Sequence, residues 1–253
     1  MNTRLVILGS SNAVPTEERD NTMFAITSPG STILVDCGIN PVVKLGQANI
    51  DVDTLEHVVI THFHPDHVSG FPMLLMTMWL NKRSKPLYVY GSDHSITRLR
   101  SLMELFDWDK WPGFYPVKFI TIPHIPHETV LETQFVRIEG IPVKHFIPTM
   151  GLRIIDKSSA KIIGYSCDTE PCEGVELIAH GVDILFHEAT GPDQGHSSAA
   201  QAGAAAAKAE VGELVLIHYP EPDSTEKDLI GQAGAFFAGK ITLAKDLLSF
   251  DLS

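Results

Sequence analysis

Over the first sixty positions the apolar residues come in short runs, at 5–8, 24–26, 32–35 and 58–60, with Gly, Pro, Asn and Asp between them. Runs of this length bounded by turn formers predict strands. Similar runs at 87–90, 119–122, 135–138, 143–146, 152–155, 162–165, 184–187 and 214–218 predict more, and 241–243 reads as a strand or as part of the tail. The period changes to a helical one at 69–80, 95–106, 171–180, 199–211 and 225–237. Within 95–106, Ile96, Leu99, Leu102, Met103 and Phe106 fall on one side. The 199–211 segment is alanine-rich, with Ser197 or Ser198 as its cap, which favours close packing against a neighbour. The polar stretch 49–53 leads a short helix toward the strand that ends at Ile60.

Many strands with a few interspersed helices, and no long Pro/Gly/Ser linker, predict an α/β chain of one domain over residues 1–253. Two sheets sandwiched by helices fit the pattern better than one continuous parallel sheet. The run 71–80 is apolar and Met-rich, but ten residues do not span a bilayer. It reads as a buried helix, a pocket wall or an oligomer contact. The apolar part of the N-terminus is too short for a signal peptide. Cys37, Cys167 and Cys172 are too few and too irregularly spaced for a disulfide framework, so the thiols read as reduced and the protein as cytoplasmic. A formal net charge of -12 argues against broad binding to nucleic acid or to an anionic membrane.

The chemistry concentrates in Thr61-His62-Phe63-His64-Pro65-Asp66-His67, directly after an apolar run. Three imidazoles and a carboxylate this close repel one another when protons are added, and coexist readily around a divalent cation. Further polar residues stand where strands should end: His145, Asp168 and His218. Strand ends place side chains on a shared, solvent-reachable rim. Together these five histidines and two carboxylates can hold two metal ions, zinc by donor type, with manganese or iron also tolerated. Two cations can generate hydroxide near neutral pH and stabilise charge on an attacked phosphoryl or carbonyl centre, which points to metal-assisted hydrolysis.

The His-x-His-x-Asp-His run at 62–67 resembles the hallmark of the metallo-β-lactamase superfamily. The stretches Leu8-Gly9-Ser10-Ser11-Asn12-Ala13-Val14-Pro15, His67-Val68-Ser69-Gly70-Phe71-Pro72, Tyr165-Ser166-Cys167-Asp168-Thr169, Phe186-His187-Glu188-Ala189-Thr190 and Gly195-His196-Ser197 are similar to its ribonuclease Z-like phosphodiesterase branch. The resemblance implies a four-layer αββα sandwich with the metals at one edge. It implies that His62, His64 and His145 hold one metal, that Asp66, His67 and His218 hold the other, and that Asp168 bridges them. It further implies that His196 approaches the scissile phosphate, oriented by Glu188, and that subunits pair as a homodimer. Asp66 could additionally guide the attacking water.

Ribonuclease Z itself carries a tRNA-gripping arm, in bacterial forms between the positions matching His145 and Asp168. Here residues 151–167 and their close neighbours fill that interval, enough for a hairpin only. With the acidic charge, this favours metal-bound hydroxide acting on a small or cyclic phosphodiester or short nucleotide over tRNA 3′-end processing. A lactonase or thioesterase on the same site is the main alternative, and a non-catalytic metal-binding interaction protein is another. His124 and His127 read as loop residues, and Cys167 as a buried thiol beside Asp168. His187 reads as a structural histidine. The zone of Trp79, Trp108 and Trp111 with Met73, Met76 and Met78 follows the metal motif directly and reads as core, with a part in shaping substrate choice.

Overall fold

A computed structural model describes residues 3–220 and 226–252 of the chain. β1 (Arg4–Gly9), β2 (Met23–Ser28) and β3 (Ser31–Val35) form an antiparallel meander. Next come α1 (Pro41–Gln47), a 3-10 turn at Val52–Thr54, β4 (Leu55–Ile60), α2 (Pro65–Val68), α3 (Phe71–Leu80), β5 (Leu87–Gly91), α4 (Asp93–Glu104) and β6 (Val117–Thr121). A second meander holds β7 (Glu128–Glu132), β8 (Val136–Val143), β9 (Thr149–Asp156) and β10 (Ile162–Tyr165). It leads into α5 (Glu173–Ala179), β11 (Ile184–Glu188), α6 (Ala199–Lys208), β12 (Glu213–Ile217), α7 (Glu226–Gly234), β13 (Lys240–Leu243) and β14 (Ser249–Asp251).

The strands form two seven-stranded sheets, ordered β14-β1-β2-β3-β4-β5-β6 and β13-β12-β11-β10-β9-β8-β7. Each sheet is antiparallel where hairpins connect its strands and parallel where helices do, from β3 to β6 and from β10 to β13. β14 returns to the first sheet and pairs with β1, tying the end of the chain to its beginning. Strand alternation sets the layers. Leu5 and Ile7 of β1 join Ile138, Leu152 and Ile163 in the core between the sheets, while Val6 and Leu8 pack outward with Leu45, Leu74 and Leu99 of α1, α3 and α4. On the far side, α5 and α6 cover the second sheet. The result is the αββα sandwich that the strand-and-helix pattern and the family resemblance implied. α6 also packs closely on α7: a Cβ built at Gly203 would meet the Ala233 carbonyl oxygen at 2.3 Å.

Several elements differ from the sequence reading. The helix expected over 69–80 is α3, which starts two residues later at Phe71, and the one-turn helix α2 before it is separate because the Pro72 ring would clash with the Val68 carbonyl of a continuous helix. The runs at 135–138 and 143–146 are not two strands. β8 holds one register against β9 from Val136 to Val143 and stops before His145. The alanine-rich helix ends at Lys208, and Glu210 just beyond it sits in the left-handed region at φ 54°. α4 ends at Glu104, so Phe106 lies outside it and is exposed. α1, β7 and β14 were not anticipated. α1 carries the β-branched pair Val42-Val43 in its first turn after Pro41, β7 begins and ends on glutamate, and β14 is only three residues long. Of the helix expected at 225–237, Thr225 lies outside the described residues. Among the described residues, no helix is long and apolar enough to cross a membrane.

Candidate metal centre

Four strands bring their carboxyl ends to one edge of the sandwich. β4 leads into Thr61 and His62, both fully buried. His64 then stands at the N-cap of α2, whose single turn carries Asp66 and His67. Pro65 at the first helical position lacks only an N–H that the first turn leaves unpaired in any case. From the second sheet, β8 delivers His145, β10 delivers Asp168 and β12 delivers His218. Cys167 before Asp168, and His218 itself, sit in the left-handed region at φ 55° and 51°. These turns aim the side chains across the rim, and such local strain persists only where surrounding contacts hold it.

Two groups of ligand atoms result. His62, His64, His145 and Asp168 form one, Asp66, His67, Asp168 and His218 the other, each with its atoms within 4.8 Å of one another. In the first, His64 Nδ1 lies 3.1 Å from His62 Nε2 and 3.0 Å from His145 Nε2. Asp168 belongs to both: its Oδ1 is 3.5 Å from His67 Nε2, and its Oδ2 is 3.2 Å from His218 Nε2 and 3.8 Å from His62 Nε2.

The inward-facing nitrogens are prepared as acceptors. Thr61 Oγ1 hydrogen-bonds the Asp36 carboxylate and lies 3.1 Å from His62 Nδ1, so it accepts from that ring. His67 Nδ1 donates to Asp36 Oδ2 at 2.8 Å, and His145 Nδ1 donates to the Gly195 carbonyl at 2.7 Å. His218 Nδ1 donates to Thr22 Oγ1, whose own hydrogen goes to the Ser11 carbonyl. Each Nδ1–H is thereby pinned outward, and each Nε2 presents a lone pair to the centre.

Charge and packing fit a cation. Burial pushes the His62 pKa well down, and neighbouring His67 pushes it the same way, so this ring stays neutral as a ligand must. Burial also opposes charge on His67, but Asp168, Asp36 and Asp66 outweigh it and raise its pKa well above the imidazole range. Burial would likewise raise Asp168, yet His218 and His67 hold it well below the carboxylate range. Three carboxylates around one buried ring thus call for positive charge. His67 Nε2 and Asp168 Oδ1 are buried without a hydrogen-bond partner, as expected of atoms whose partner is a metal. The histidine-rich donor set and the 3.0–3.1 Å spacing of ring nitrogens suit ions bound at roughly 2 Å.

Beside these groups lies His196, half-buried, with its ring centroid 5.0 Å from that of His145 and 6.1 Å from that of His218. Its Nδ1 donates to Glu188 Oε1 at 3.0 Å. Glu188 is fully buried at the end of β11. Its Oε1 also accepts from the Thr169 backbone and its Oε2 from the Thr190 backbone. Burial works against charge on His196, but the Glu188 hydrogen bond and charge prevail and raise its pKa.

Other residues fall outside the centre or behind it. Asp36, Thr22 and Gly195 were not singled out by the sequence as supports, although Asp36 directly ends the apolar strand at 31–35. Cys167 is buried, 3.1 Å from Thr61 Oγ1 and 3.6 Å from His62 Nδ1, and burial raises its pKa well above the usual thiol value. His187 donates Nδ1–H to the Glu188 carbonyl. The Ser10 carbonyl, just after β1, accepts the His218 backbone N–H. His124 bonds the Thr149 carbonyl and His127 pairs with Glu139. Trp79, Trp108 and Trp111 pack, partly buried, against the core of the first sheet, in keeping with the core reading. Trp79 stacks on Trp111 at 5.1 Å, near the far end of α3 and about 12 Å along the helix from Phe71. Phe71, Leu74, Leu75 and Met78 of the same helix are buried in the core.

Known proteins are similar over most of the chain. Ribonuclease Z of Ignicoccus hospitalis is 28% identical, with 85% of this chain and 87% of that protein covered. The metallo-β-lactamase fold protein YhfI from Bacillus subtilis superposes with a TM-score of 0.85 at 22% identity, covering 99% of this chain and 100% of that one. The short form of human tRNase Z gives 0.79 at 22% identity, covering 99% of each chain. These likenesses place the fold in the metallo-β-lactamase superfamily, in the branch that includes ribonuclease Z. Within it, the model of the family "Anti-Pycsar protein Apyc1" matches residues 3–240, so this chain, with its two clusters of metal-binding side chains, belongs to that family.

Proposed function

We propose that the chain hydrolyses small or cyclic phosphodiesters at a dinuclear metal centre. His62, His64 and His145 would hold one divalent cation, Asp66, His67 and His218 the other, and Asp168 would serve both. Bound there, two such cations, zinc by donor type, supply Lewis-acid polarisation of the phosphoryl group and acidify water. The observation that carries the reading is the His196–Glu188 pair, 3.0 Å apart and set beside both ligand groups. Glu188 fixes the His196 ring by its Nδ1–H and favours the protonated form, which leaves Nε2–H to stabilise developing oxyanion charge or protonate a departing alkoxide. Burial opposes ionisation of Asp66, but His67 and His218 keep it ionised, suiting it to orient the attacking water. The products are a phosphomonoester and an alcohol, or one ring-opened phosphomonoester from a cyclic substrate.

Two features separate this reading from its rivals. The interval where a bacterial-type tRNA arm would lie is β9, a tight turn at 157–161 and β10, all within the sheet. An acyl chain would need apolar walls, and of the run at 71–80 that could form a pocket wall, Phe71, Leu74, Leu75 and Met78 are buried against the first sheet. The deciding experiment sets hydrolysis of bis(p-nitrophenyl) phosphate by metal-quantified protein against a panel of lactones and thioesters. Phosphodiester turnover at about two metals per chain supports the proposal. Turnover of carbon esters alone would transfer the assignment to an acyl hydrolase.

A further inference from the structure

The alanine-rich helix α6 is closed by a neighbour on one side only. α7 packs on it at Gly203, but toward α5 the chain leaves a cavity of about 340 Å³, with Val175, Ala204, Ala205 and Ala209 on its apolar walls. Its floor is β11. Phe186 packs on Phe250 of the first sheet, so by strand alternation Leu185 and His187 face the helices. His187 is 1% exposed and lines the cavity. Its Nδ1–H donates to the Glu188 carbonyl, and among the described residues its Nε2 has no partner. Burial lowers its pKa, so the ring is neutral and Nε2 is a bare acceptor. The other polar side chains around the cavity are engaged or turned to water. Glu176 and Lys208 pair with each other at 2.7 Å, Cys172 Sγ lies 3.5 Å from Thr169 Oγ1, and His180 is exposed. Gln201 uses its Oε1 in the capping box of α6 and retains its –NH2.

We propose that this cavity is a second binding site, separate from the metal centre, for a small apolar molecule carrying one hydroxyl, a phenol in chemical class. The hydroxyl donates to His187 Nε2, and the ring fills the space between α5 and α6. A ligand that displaces water from the cavity must replace the hydrogen bond to that acceptor, and a hydroxyl does so where a plain hydrocarbon does not. The volume falls within the roughly 300–1,000 Å³ of small-molecule sites, and apolar walls with a few convergent polar groups are their usual makeup. Other ligand classes fit less well. Among the described residues, none of the metal-binding groups includes a side chain of this cavity. A carboxylate would have to take Lys208 from Glu176. Glu188, next in sequence to His187, points to the opposite face of β11 and holds His196 there. Ligand and His196–Glu188 pair therefore lie on opposite faces of one strand, and the inference stands whichever reaction the metal centre performs.

The test titrates the metal-loaded protein with phenol, 4-ethylphenol and 2-naphthol, each beside its methyl ether, and reads dissociation constants and stoichiometry by calorimetry. At least one phenol should bind one-to-one with a dissociation constant below about 1 mM, and about tenfold or more tighter than its ether, which keeps the ring but cannot donate. Ala205→Leu fills the cavity with another good helix former. It should weaken that phenol by about tenfold or more, with Tm and metal content near those of wild type. His187→Phe removes the acceptor and should level the phenol with its ether. Absence of saturable binding by every phenol overturns the proposal, as does an ether that binds as well as its phenol. Undiminished binding to folded A205L puts the ligand elsewhere and overturns it too, as does a preference for the phenol that survives in folded H187F. Should H187F not fold, the hydrogen bond is read in wild type from the His187 Nε2 nitrogen resonance. That resonance should shift with the phenol and not with its ether, and a resonance unmoved by saturating phenol overturns the proposal.

Discussion

The two sheets contribute to the centre in different ways. The first supplies His62, His64, Asp66 and His67 within six residues, from one loop and one turn of helix. The second supplies His145, Asp168 and His218 from three separate strand ends, with Glu188 and His196 behind them. The local half is set by spacing, and the dispersed half by sheet register. Neither is complete alone, because the supports cross between them. Thr22 of the first sheet pins His218 of the second, and Cys167 of the second packs on Thr61 and His62 of the first. The ligand groups exist as groups only when the two sheets are face to face.

The sharpest way to break this picture is at Asp168, the one side chain common to both groups. Asp168→Ala should lower activity by about a thousandfold or more and leave fewer than two metals per chain by elemental analysis. Retention of both metals with near-normal turnover would remove the shared carboxylate from the scheme. Next in size is His196→Ala, expected to cost on the order of a hundredfold to ten-thousandfold in kcat with metal content unchanged. Glu188→Gln refines it through pH. Glu188 raises the His196 pKa, so the protonated ring persists above the ordinary imidazole range, and its loss should end activity on the alkaline side. In the Gln variant that alkaline limb should move to lower pH. The sign for stability is the same. The pair's contribution is complete below the unfolded imidazole pKa and is lost as pH rises through the raised folded value.

Smaller effects probe the supports. Asp36→Asn keeps the shape but weakens the hold on His67 and Thr61. Metal affinity, followed by competition with a chromophoric chelator, should fall about ten- to a hundredfold. Thr22→Val removes the acceptor for His218 Nδ1–H and leaves that donor buried, at roughly 1–3 kcal/mol of stability in a chemical denaturation series. If T22V were silent while D36N was not, the second sheet's ligands would be held by register alone.

The helical and strand periods were readable wherever an element was long or uniformly apolar, as in β1, β4, α4 and β11. They failed where tertiary contacts decide. α1 has β-branched Val42 and Val43 in its first turn and is held by packing against α3 and β1, and β8 is one strand because β9 pairs with its whole length. In the site, the His62–His67 run was evident because its members are neighbours in sequence. His145, Asp168 and His218 were visible only as polar residues at strand ends, grouped by family resemblance. Asp36 and Gly195 gave no signal of their roles, since a hydrogen bond to a ring nitrogen leaves no mark in spacing.

By itself, then, the sequence determined the chemistry. Imidazoles and carboxylates crowded within six residues call for a divalent cation, and alternating apolar runs call for sheets covered by helices. Tertiary structure alone decided that Asp168 stands between two ligand groups, that the Nδ1–H groups of His62, His67, His145 and His218 point outward while His64 turns its Nδ1 inward, and that Phe146 borders the centre. Distances across two packed sheets depend on strand register and backbone turns such as those at Cys167, Gly195 and His218, and residue type fixes neither.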